Sequence, residues 1–197
     1  MMKIIGLTGL TGAGKSTVAQ KLMAYGCYHI DADKVARNVI NNNENVKNKL
    51  KERFGDDIIN EDGTTNRPLL ATRAFADEQS TLDLNAITHP AVVEEIKSII
   101  KDMEEVGYRG IIIDAIALFE SGLNTLCDFN VAVVAPKEIR LERIIKRDSI
   151  TEEKALERIN AQKDESFFTS HADFVLWNYP PYDLNVEIKP ITLQIGI

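Results

Sequence analysis

The stretch Gly9-Leu10-Thr11-Gly12-Ala13-Gly14-Lys15-Ser16 decides the fold. An apolar run over residues 3–8 precedes it, and a helical pattern that begins near residue 15 follows it. A strand, a glycine-rich loop and a helix in this order form the pattern of a P-loop. The alternative is a glycine loop that joins a strand to a helix by chance. The agreement of spacing, strand and helix favours phosphate binding.

The loop has a direct physical reason to bind phosphate. Gly9, Gly12 and Gly14 can take backbone angles that are closed to other residues, so that successive N–H groups turn inward around an anion. The helix that begins near Lys15 adds the positive end of its dipole. Lys15 supplies a charge for the β- and γ-phosphates, and the hydroxyl of Ser16 can coordinate Mg²⁺. We therefore predict a bound nucleotide at this loop.

Composition restricts the class of protein. The chain has 197 residues with a net charge of −7, and no block of like charge suggests a nucleic-acid partner. Cys27 and Cys127 lie far apart, and we expect two buried thiols of a reducing compartment. The apolar start is too short for a signal peptide, and no stretch reaches the ~20 apolar residues of a membrane span. We expect a cytoplasmic protein without a membrane partner, as a monomer or weak homo-oligomer.

Strands alternate with helices along the chain, which predicts an α/β fold with a parallel sheet between layers of helices. Residues 44–107 carry helical patterns and no clear strand, so we predict a helical insert beside the sheet. Within this insert, Pro90 is expected to begin the last helix. The tail beyond Asn178 is predicted to be irregular, with a strand-like run at residues 184–188. The strands are predicted at residues 3–8, 27–30, 110–114, 129–134 and 173–177.

Three carboxylates follow predicted strands, at the edge where parallel sheets bind their ligands. Asp31 is well placed to cap the next helix. Asp33 lies one step beyond that cap, and we predict that it is a general base, although it could also serve only the helix start. Asp114 ends an apolar strand in the manner of a Walker B aspartate, which holds Mg²⁺ through water. A core strand can also end in an acid by chance.

Arginines cluster on a later helix. Arg140, Arg143 and Arg147 are spaced at three and four residues and therefore share one helix face. A solvated surface helix would show a similar pattern. An arginine-bearing helix–loop–helix after a parallel strand also suits a lid that excludes water and stabilises the charge on a transferring phosphoryl group. We predict such a lid over about residues 140–163.

A set of short motifs extends over about residues 3–178, and in combination it is far more specific than the P-loop alone. These motifs are Gly6-Leu7-Thr8-Gly9, Gly14-Lys15-Ser16-Thr17, Ile30-Asp31-Ala32-Asp33, Ala36-Arg37, Phe54-Gly55, Asn66-Arg67, Leu70, His89-Pro90, Leu118-Phe119-Glu120, Arg143, Arg147, Arg158, Gln162, Ala172-Asp173 and Asn178. In these residues the chain resembles the dephospho-CoA kinases, a family that catalyses the last step of coenzyme A synthesis.

The resemblance implies that ATP, with Mg²⁺, phosphorylates the ribose 3′-hydroxyl of dephospho-coenzyme A. It implies a single three-layer P-loop kinase domain over residues 1–197, with the helical insert on the substrate side and the lid. By the same resemblance Asp33 takes the hydroxyl proton, while Lys15 and the lid arginines act on the phosphates.

Further positions follow from the resemblance. His89 belongs to the helical domain that receives the coenzyme A end, although it could equally mark the start of a helix. Asn178 is expected near the adenine. The substrate set is Thr8, Asp33, Arg37, Arg67, His89 and Leu118. The ATP set is Gly9, Leu10, Thr11, Gly12, Ala13, Gly14, Lys15, Ser16, Thr17 and Asn178. The metal set is Ser16 and Asp114.

The chain departs from the family pattern at three places. Its loop has Leu10-Thr11 and Ala13 where the family usually has Gly-Ile and Ser. Residues 116–118 read Ile-Ala-Leu where the family has Pro-Leu-Leu. The tail carries Tyr179-Pro180-Pro181 where a helix usually follows the asparagine.

Other functional classes stay open from the residues alone. Another P-loop kinase would hold a nucleoside in a smaller pocket. A GTPase would need a guanine-reading Asn-Lys-x-Asp stretch, which the sequence lacks. A non-catalytic ATP-binding module would not need Asp33, Arg37 and the lid arginines together.

Overall fold

A computed structural model describes residues 2–196. Its sheet has five strands in the order β2-β3-β1-β4-β5, in a parallel three-layer α/β arrangement. The predicted fold class is confirmed. The strands are β1 (Lys3–Gly9), β2 (Cys27–Asp31), β3 (Gly110–Asp114), β4 (Phe129–Val134) and β5 (Phe174–Trp177). Strand β1 lies at the centre, paired with β3 and β4, and β3 separates it from β2.

Ten α-helices lie between the strands and after β5 in the part of the chain that the structure describes, and the connection from β3 to β4 contains only a short 3-10 helix, Leu123–Leu126. The α-helices are α1 (Lys15–Ala24), α2 (Ala32–Asn42), α3 (Glu44–Phe54), α4 (Arg67–Ala74), α5 (Glu78–Glu104), α6 (Lys137–Asp148), α7 (Glu152–Asn160), α8 (Glu165–His171), α9 (Leu184–Glu187) and α10 (Lys189–Gln194). None of the helices within residues 2–196 is both long and apolar enough to cross a membrane.

The chain divides into two compact units. The first comprises the chain up to Ile30 together with the chain from Met103 onward, and it holds the sheet. Its core is built on β1 and β4, whose apolar residues are almost all fully buried because helices cover both faces of a parallel sheet. The second unit comprises Asp31–Asp102 and is mainly helical.

Helix α5 differs from the prediction that a helix begins at Pro90. It runs without a break through Pro90. Proline removes one backbone hydrogen bond from a helix interior, but packing can override that cost. The buried residues Thr88, Val92, Ile96 and Ile100 recur every four positions, so that one continuous stripe faces the core on both sides of the proline.

The tail also differs from the prediction. Residues 184–188 were expected to be strand-like, but they form α9 and the junction to α10. Asp183 caps α9 through the N–H of Asn185, and Leu184, Ile188 and Ile191 are buried against the core of the sheet. Their spacing of four and three is the period of a helix, which the short alternation of apolar residues concealed.

The two thiols differ in exposure. Cys27 is buried as predicted, whereas Cys127 is half-buried. Burial raises the pKa of the Cys27 thiol to about 11. Burial, with a smaller contribution from the neighbouring Asp128, raises the pKa of Cys127 to about 12. Both thiols are therefore protonated and weakly nucleophilic at neutral pH.

Candidate active site

The glycine-rich loop joins β1 to α1 as predicted. Gly14 is the N-cap of α1 and has a left-handed conformation, with φ of 97°. A β-carbon on Gly14 would lie 2.1 Å from the Nδ2 atom of Asn178, so both the backbone angle and the space require glycine. Lys15 and Ser16 follow in the first turn of the helix, where unpaired N–H groups and the helix dipole favour an anion.

The unusual residues of the loop face the protein. Leu10 and Ala13 are buried in the core of the sheet-bearing unit, and the N–H of Ala13 donates to the carbonyl of Leu10 at 3.0 Å. Thr11 is half-buried. The departure of this loop from the family pattern is therefore accommodated in the core at two of its three positions.

Two side chains hold the carbonyl groups of the loop. Arg143 of α6 donates through Nη1 to the carbonyls of Gly12 and Ala13, at 3.4 and 3.3 Å, and through Nη2 to the carbonyl of Asn178 at 2.8 Å. Asn178 donates through Nδ2 to the carbonyl of Ala13 at 2.7 Å. The predicted adenine residue Asn178 and the predicted lid residue Arg143 thus meet at the phosphate loop and fix its shape.

The other two predicted lid arginines lie elsewhere. Arg140 is only 7% exposed and donates through Nε to the carbonyl of Ala135 at 3.0 Å. Burial lowers its pKa, and its Nη1 has no hydrogen-bond partner among residues 2–196. Arg147 donates to both carboxylate oxygens of Asp148, at 2.7 and 2.9 Å. The three arginines share a helix face but do not converge on one point, because each reaches a different partner.

The region predicted to form a lid is a pair of helices. Helices α6 and α7 pack through a small core of Ile144, Ala155 and Ile159. Asp148 ends α6 and also accepts a hydrogen bond from Arg158 of α7. The predicted helix–loop–helix is present, and its first helix begins at Lys137, directly after the N-cap Pro136.

Asp114 ends β3 beside Leu7 of β1. Its Oδ2 lies 3.3 Å from Nε2 of His29, a residue of β2. No group of three or more histidine, cysteine or acidic side chains with the geometry of a metal site occurs within residues 2–196. Mg²⁺ does not require such a cage, because it keeps several waters and is held through one or two protein oxygens together with substrate phosphates. The oxygens of Ser16 and Asp114 suit that mode of binding.

Two predicted substrate residues are internal. Thr8 is 0% exposed, and its hydroxyl donates to the carbonyl of Ile116 at 3.1 Å. Leu118 is also fully buried. Both positions differ from the exposed location that a direct substrate contact requires.

The second unit carries the predicted acceptor residues. Asp31 caps α2 by accepting a hydrogen bond from the N–H of Lys34 at 2.9 Å, as predicted. Asp33 lies in the first turn of the same helix with an exposed side chain. Arg37, one turn later, donates through Nε to the carbonyl of Asp33 at 2.9 Å. The cap and the carboxylate that follows it are thus distinct in structure.

A cavity of about 190 Å³ opens in this unit. Arg37 and Arg67 border it, and its remaining wall is apolar, with Leu70 and Phe75 among the lining residues. The cavity surface is almost entirely apolar, so that the two arginines line it with their aliphatic stems, which suits an apolar ligand group. His89 is half-buried in the interior of α5, so the alternative that it marks the start of a helix is wrong.

Sequence reasoning gave no role to His29 and placed Gln162 only among the residues that match the family pattern, but both make long-range contacts within the sheet-bearing unit. His29 contacts Asp114, and Gln162 accepts a hydrogen bond from the loop residue Thr11. Neither contact has a signal in residue spacing, because the partners are 85 and 151 residues apart in the chain.

Comparisons with known proteins agree with this geometry. A family model described as dephospho-CoA kinase matches residues 3–181. The chain is 37% identical to a dephospho-CoA kinase of Corynebacterium efficiens, over 91% of this chain and 90% of that protein. It is 38% identical to a dephospho-CoA kinase of Bacillus cereus, over 90% and 89% of the two chains. A solved dephospho-CoA kinase from Campylobacter jejuni shares the fold, with a TM-score of 0.71 at 24% identity over 100% and 98% of the chains.

Proposed function

Since the chain belongs to the dephospho-CoA kinase family, we propose that it transfers the γ-phosphoryl group of ATP to the ribose 3′-hydroxyl of dephospho-coenzyme A, giving coenzyme A and ADP. The observation that carries the proposal is the phosphate loop, in which Lys15 and Ser16 begin α1 and Arg143 and Asn178 hold the loop carbonyls. We propose that this small-molecule reaction takes place in the cytoplasm.

The glycine-rich loop is the proposed binding site for ATP, the phosphoryl donor. We propose that the ammonium group of Lys15 and the amides at the start of α1 bind the phosphates of ATP, since the N–H groups of Thr11 and Ala13 already donate to Gln162 and Leu10. Catalysis of phosphoryl transfer is mostly positioning and electrostatic stabilisation, because the transition state spreads its charge over the phosphoryl oxygens. A loop whose carbonyls are held back by Arg143 and Asn178 keeps its N–H groups turned toward the anion.

Ser16 and Asp114 would hold Mg²⁺ with the phosphates of ATP. Bound there, the ion would neutralise part of the phosphate charge. His29, at 3.3 Å from Asp114, would orient that carboxylate.

The acceptor side belongs to the second unit. We propose that Asp33 accepts the proton of the ribose hydroxyl, because an exposed carboxylate outside the capping position is able to do so. Arg37 and Arg67, which border the apolar cavity, would bind the phosphate groups of the acceptor, and His89 belongs to the same unit. In this proposal residues 31–102 serve as the acceptor-binding part of a single kinase domain.

The helices α6 and α7, with the turn that follows them, are proposed to act as the lid. Arg143 would act by fixing the loop, and Arg140 and Arg147 by supporting the helix pair, since each already has a protein partner. Water exclusion by such a lid suppresses hydrolysis of ATP in the absence of acceptor.

One assay tests the proposed function. ADP production is measured with ATP and Mg²⁺, with and without dephospho-coenzyme A, and the product is identified by mass spectrometry. We expect strong stimulation by dephospho-coenzyme A, and none in the Lys15→Met variant, which keeps the length of the side chain without its charge. Stimulation by a nucleoside but not by dephospho-coenzyme A would show that the chain is a different P-loop kinase.

A further inference from the structure

The turn after α7 is tied to the phosphate loop by one side chain. Gln162 accepts a hydrogen bond through Oε1 from the N–H of Thr11, with 2.7 Å between nitrogen and oxygen. Gln162 is half-buried, and the turn that carries it lies between the end of α7 at Asn160 and Asp164, the N-cap of α8. The contact therefore joins the first half of the loop to the lid region.

This bond complements the contacts of Arg143 and Asn178. Those two side chains bind carbonyl groups at Gly12 and Ala13, in the middle of the loop. Gln162 binds an N–H group in the first half, where the chain carries Leu10-Thr11. Together the contacts bind both an N–H group and carbonyl groups of the loop, so that the loop conformation is fixed before an anion binds.

The position of Gln162 is itself fixed. The N–H of Gln162 donates to the carbonyl of Ile159, whose side chain is buried between α6 and α7. Gln162 also borders a cavity of about 370 Å³ together with Glu120, Lys163 and Phe168. Its side chain therefore connects the packing of the helix pair to the loop on one side and to an open cavity on the other.

We infer that Gln162 is a positioning residue, which holds the phosphate loop in its anion-binding conformation through the amide of Thr11. The inference deepens the proposed function, on which its activity measurement rests. Its structural measurement does not depend on the identity of the acceptor. Loss of this contact loosens the first half of the loop and weakens nucleotide binding more than it slows phosphoryl transfer.

The test uses Gln162→Met, which keeps an unbranched side chain without the accepting oxygen, and Gln162→Glu, which keeps the oxygen. Gln194→Met, at an exposed position of α10, is the matched control. Hydrogen exchange of the Thr11 amide is measured by NMR without nucleotide. Loss of one net hydrogen bond should accelerate exchange about 3- to 10-fold in Gln162→Met. Gln162→Glu and Gln194→Met should retain the wild-type rate.

Kinetics with ATP supply the functional measurement. We expect Gln162→Met to raise the KM for ATP by roughly 10-fold with a change in kcat of less than about 3-fold. An unchanged Thr11 exchange rate overturns the inference, and so does a lowered Tm with an unchanged KM, which would show a purely structural role. If Gln162→Met does not fold, the unmodified chain supplies the test. The inference then requires its Thr11 amide to exchange more slowly than the amide of Lys15, which lies at the first turn of α1. Absence of dephospho-coenzyme A turnover in the unmodified chain would contradict the proposed function alone.

Discussion

At the scale of single residues, two aspartates at the start of α2 have different surroundings. Asp31 accepts a hydrogen bond from the backbone of its own helix, whereas Asp33 is exposed in the first turn. Capping preferences identify Asp31 from the sequence, and the prediction of this cap is confirmed. The role of Asp33 as a base stays a prediction.

We expect Asp33→Asn to keep ATP binding and to lose turnover by ~10²-fold or more, because asparagine cannot accept the proton. The matched control is Asp31→Asn, since asparagine caps a helix as well as aspartate does. Steady-state turnover and ATP titration of both variants check the prediction. Equal losses in the two variants would mean that Asp33 serves only the helix.

Gly14 gives a second prediction for a single residue. Alanine at this position is strained by its positive φ and would place a β-carbon 2.1 Å from Nδ2 of Asn178. We expect Gly14→Ala to displace Asn178 from Ala13 and to abolish measurable ATP binding in calorimetry. Gly122→Ala is the control, because Gly122 also has a positive φ, of 76°, but a β-carbon there meets nothing within 4 Å. Comparable loss of ATP binding in both variants would indicate strain alone.

The limit of sequence reasoning is also visible in single residues. Periodicity placed Arg140, Arg143 and Arg147 on one face of a helix, but it could not tell which partner each would meet. Two of those partners, Ala135 and Asp148, are close in sequence, whereas the loop carbonyls bound by Arg143 lie about 130 residues away. Contacts of that range depend on the order of strands, which no local pattern contains.

At the scale of elements, the helix pair α6–α7 carries an ion-pair cluster at the end of α6, beside the turn that joins the two helices. Asp148 accepts hydrogen bonds from Arg147 and from Arg158 of the second helix. The hydrogen bond from Arg147 holds the pKa of Asp148 below its ordinary value of 3.8. A carboxyl group with a lowered pKa in the folded state stabilises it above the unfolded value and loses that contribution as the pH falls through the folded value.

We therefore expect the α6–α7 pair to loosen in acid, below pH 3.8, and Asp148→Asn to show the same loosening at neutral pH. Hydrogen exchange of the α7 amides measures the effect, which should be local because exposed ion pairs contribute little to global stability. Glu142→Gln on α6 is the control. Unchanged exchange in Asp148→Asn would show that the apolar contacts of Ile144, Ala155 and Ile159 are sufficient to hold α6 and α7 together.

Some element boundaries are marked in the sequence by a capping residue. Asp31, the predicted cap, is the N-cap of α2. Pro90 misled the prediction because local propensity and core packing disagree there, and the buried stripe of α5 prevails. The prediction for the tail was wrong because helices of four and six residues are too short to show a recognisable helical period.

At the scale of the whole molecule, the division into two units leads us to expect that ATP and the acceptor protect different segments of the chain. We expect a non-hydrolysable ATP analogue with Mg²⁺ to slow hydrogen exchange in the loop and in α1, and dephospho-coenzyme A to slow it within residues 31–102, because a bound ligand suppresses local opening. Mass spectrometry of peptic fragments measures both effects. Protection of the same segments by either ligand alone would contradict the assignment of the acceptor to the second unit.

The central place of β1 also sets an order of assembly. Its partners are β3 and β4, which leave the ribosome long after β1 itself, whereas residues 31–102 are contiguous. Pairings distant in the chain form slowly, and domains tend to fold as units during synthesis. The helical unit can therefore form before β1 pairs with β3 and β4. The contacts of Arg143, Gln162 and Asn178 with the loop form only after these residues have been synthesised. We therefore expect the nascent chain to retain a nucleotide only after Asn178 has left the ribosome.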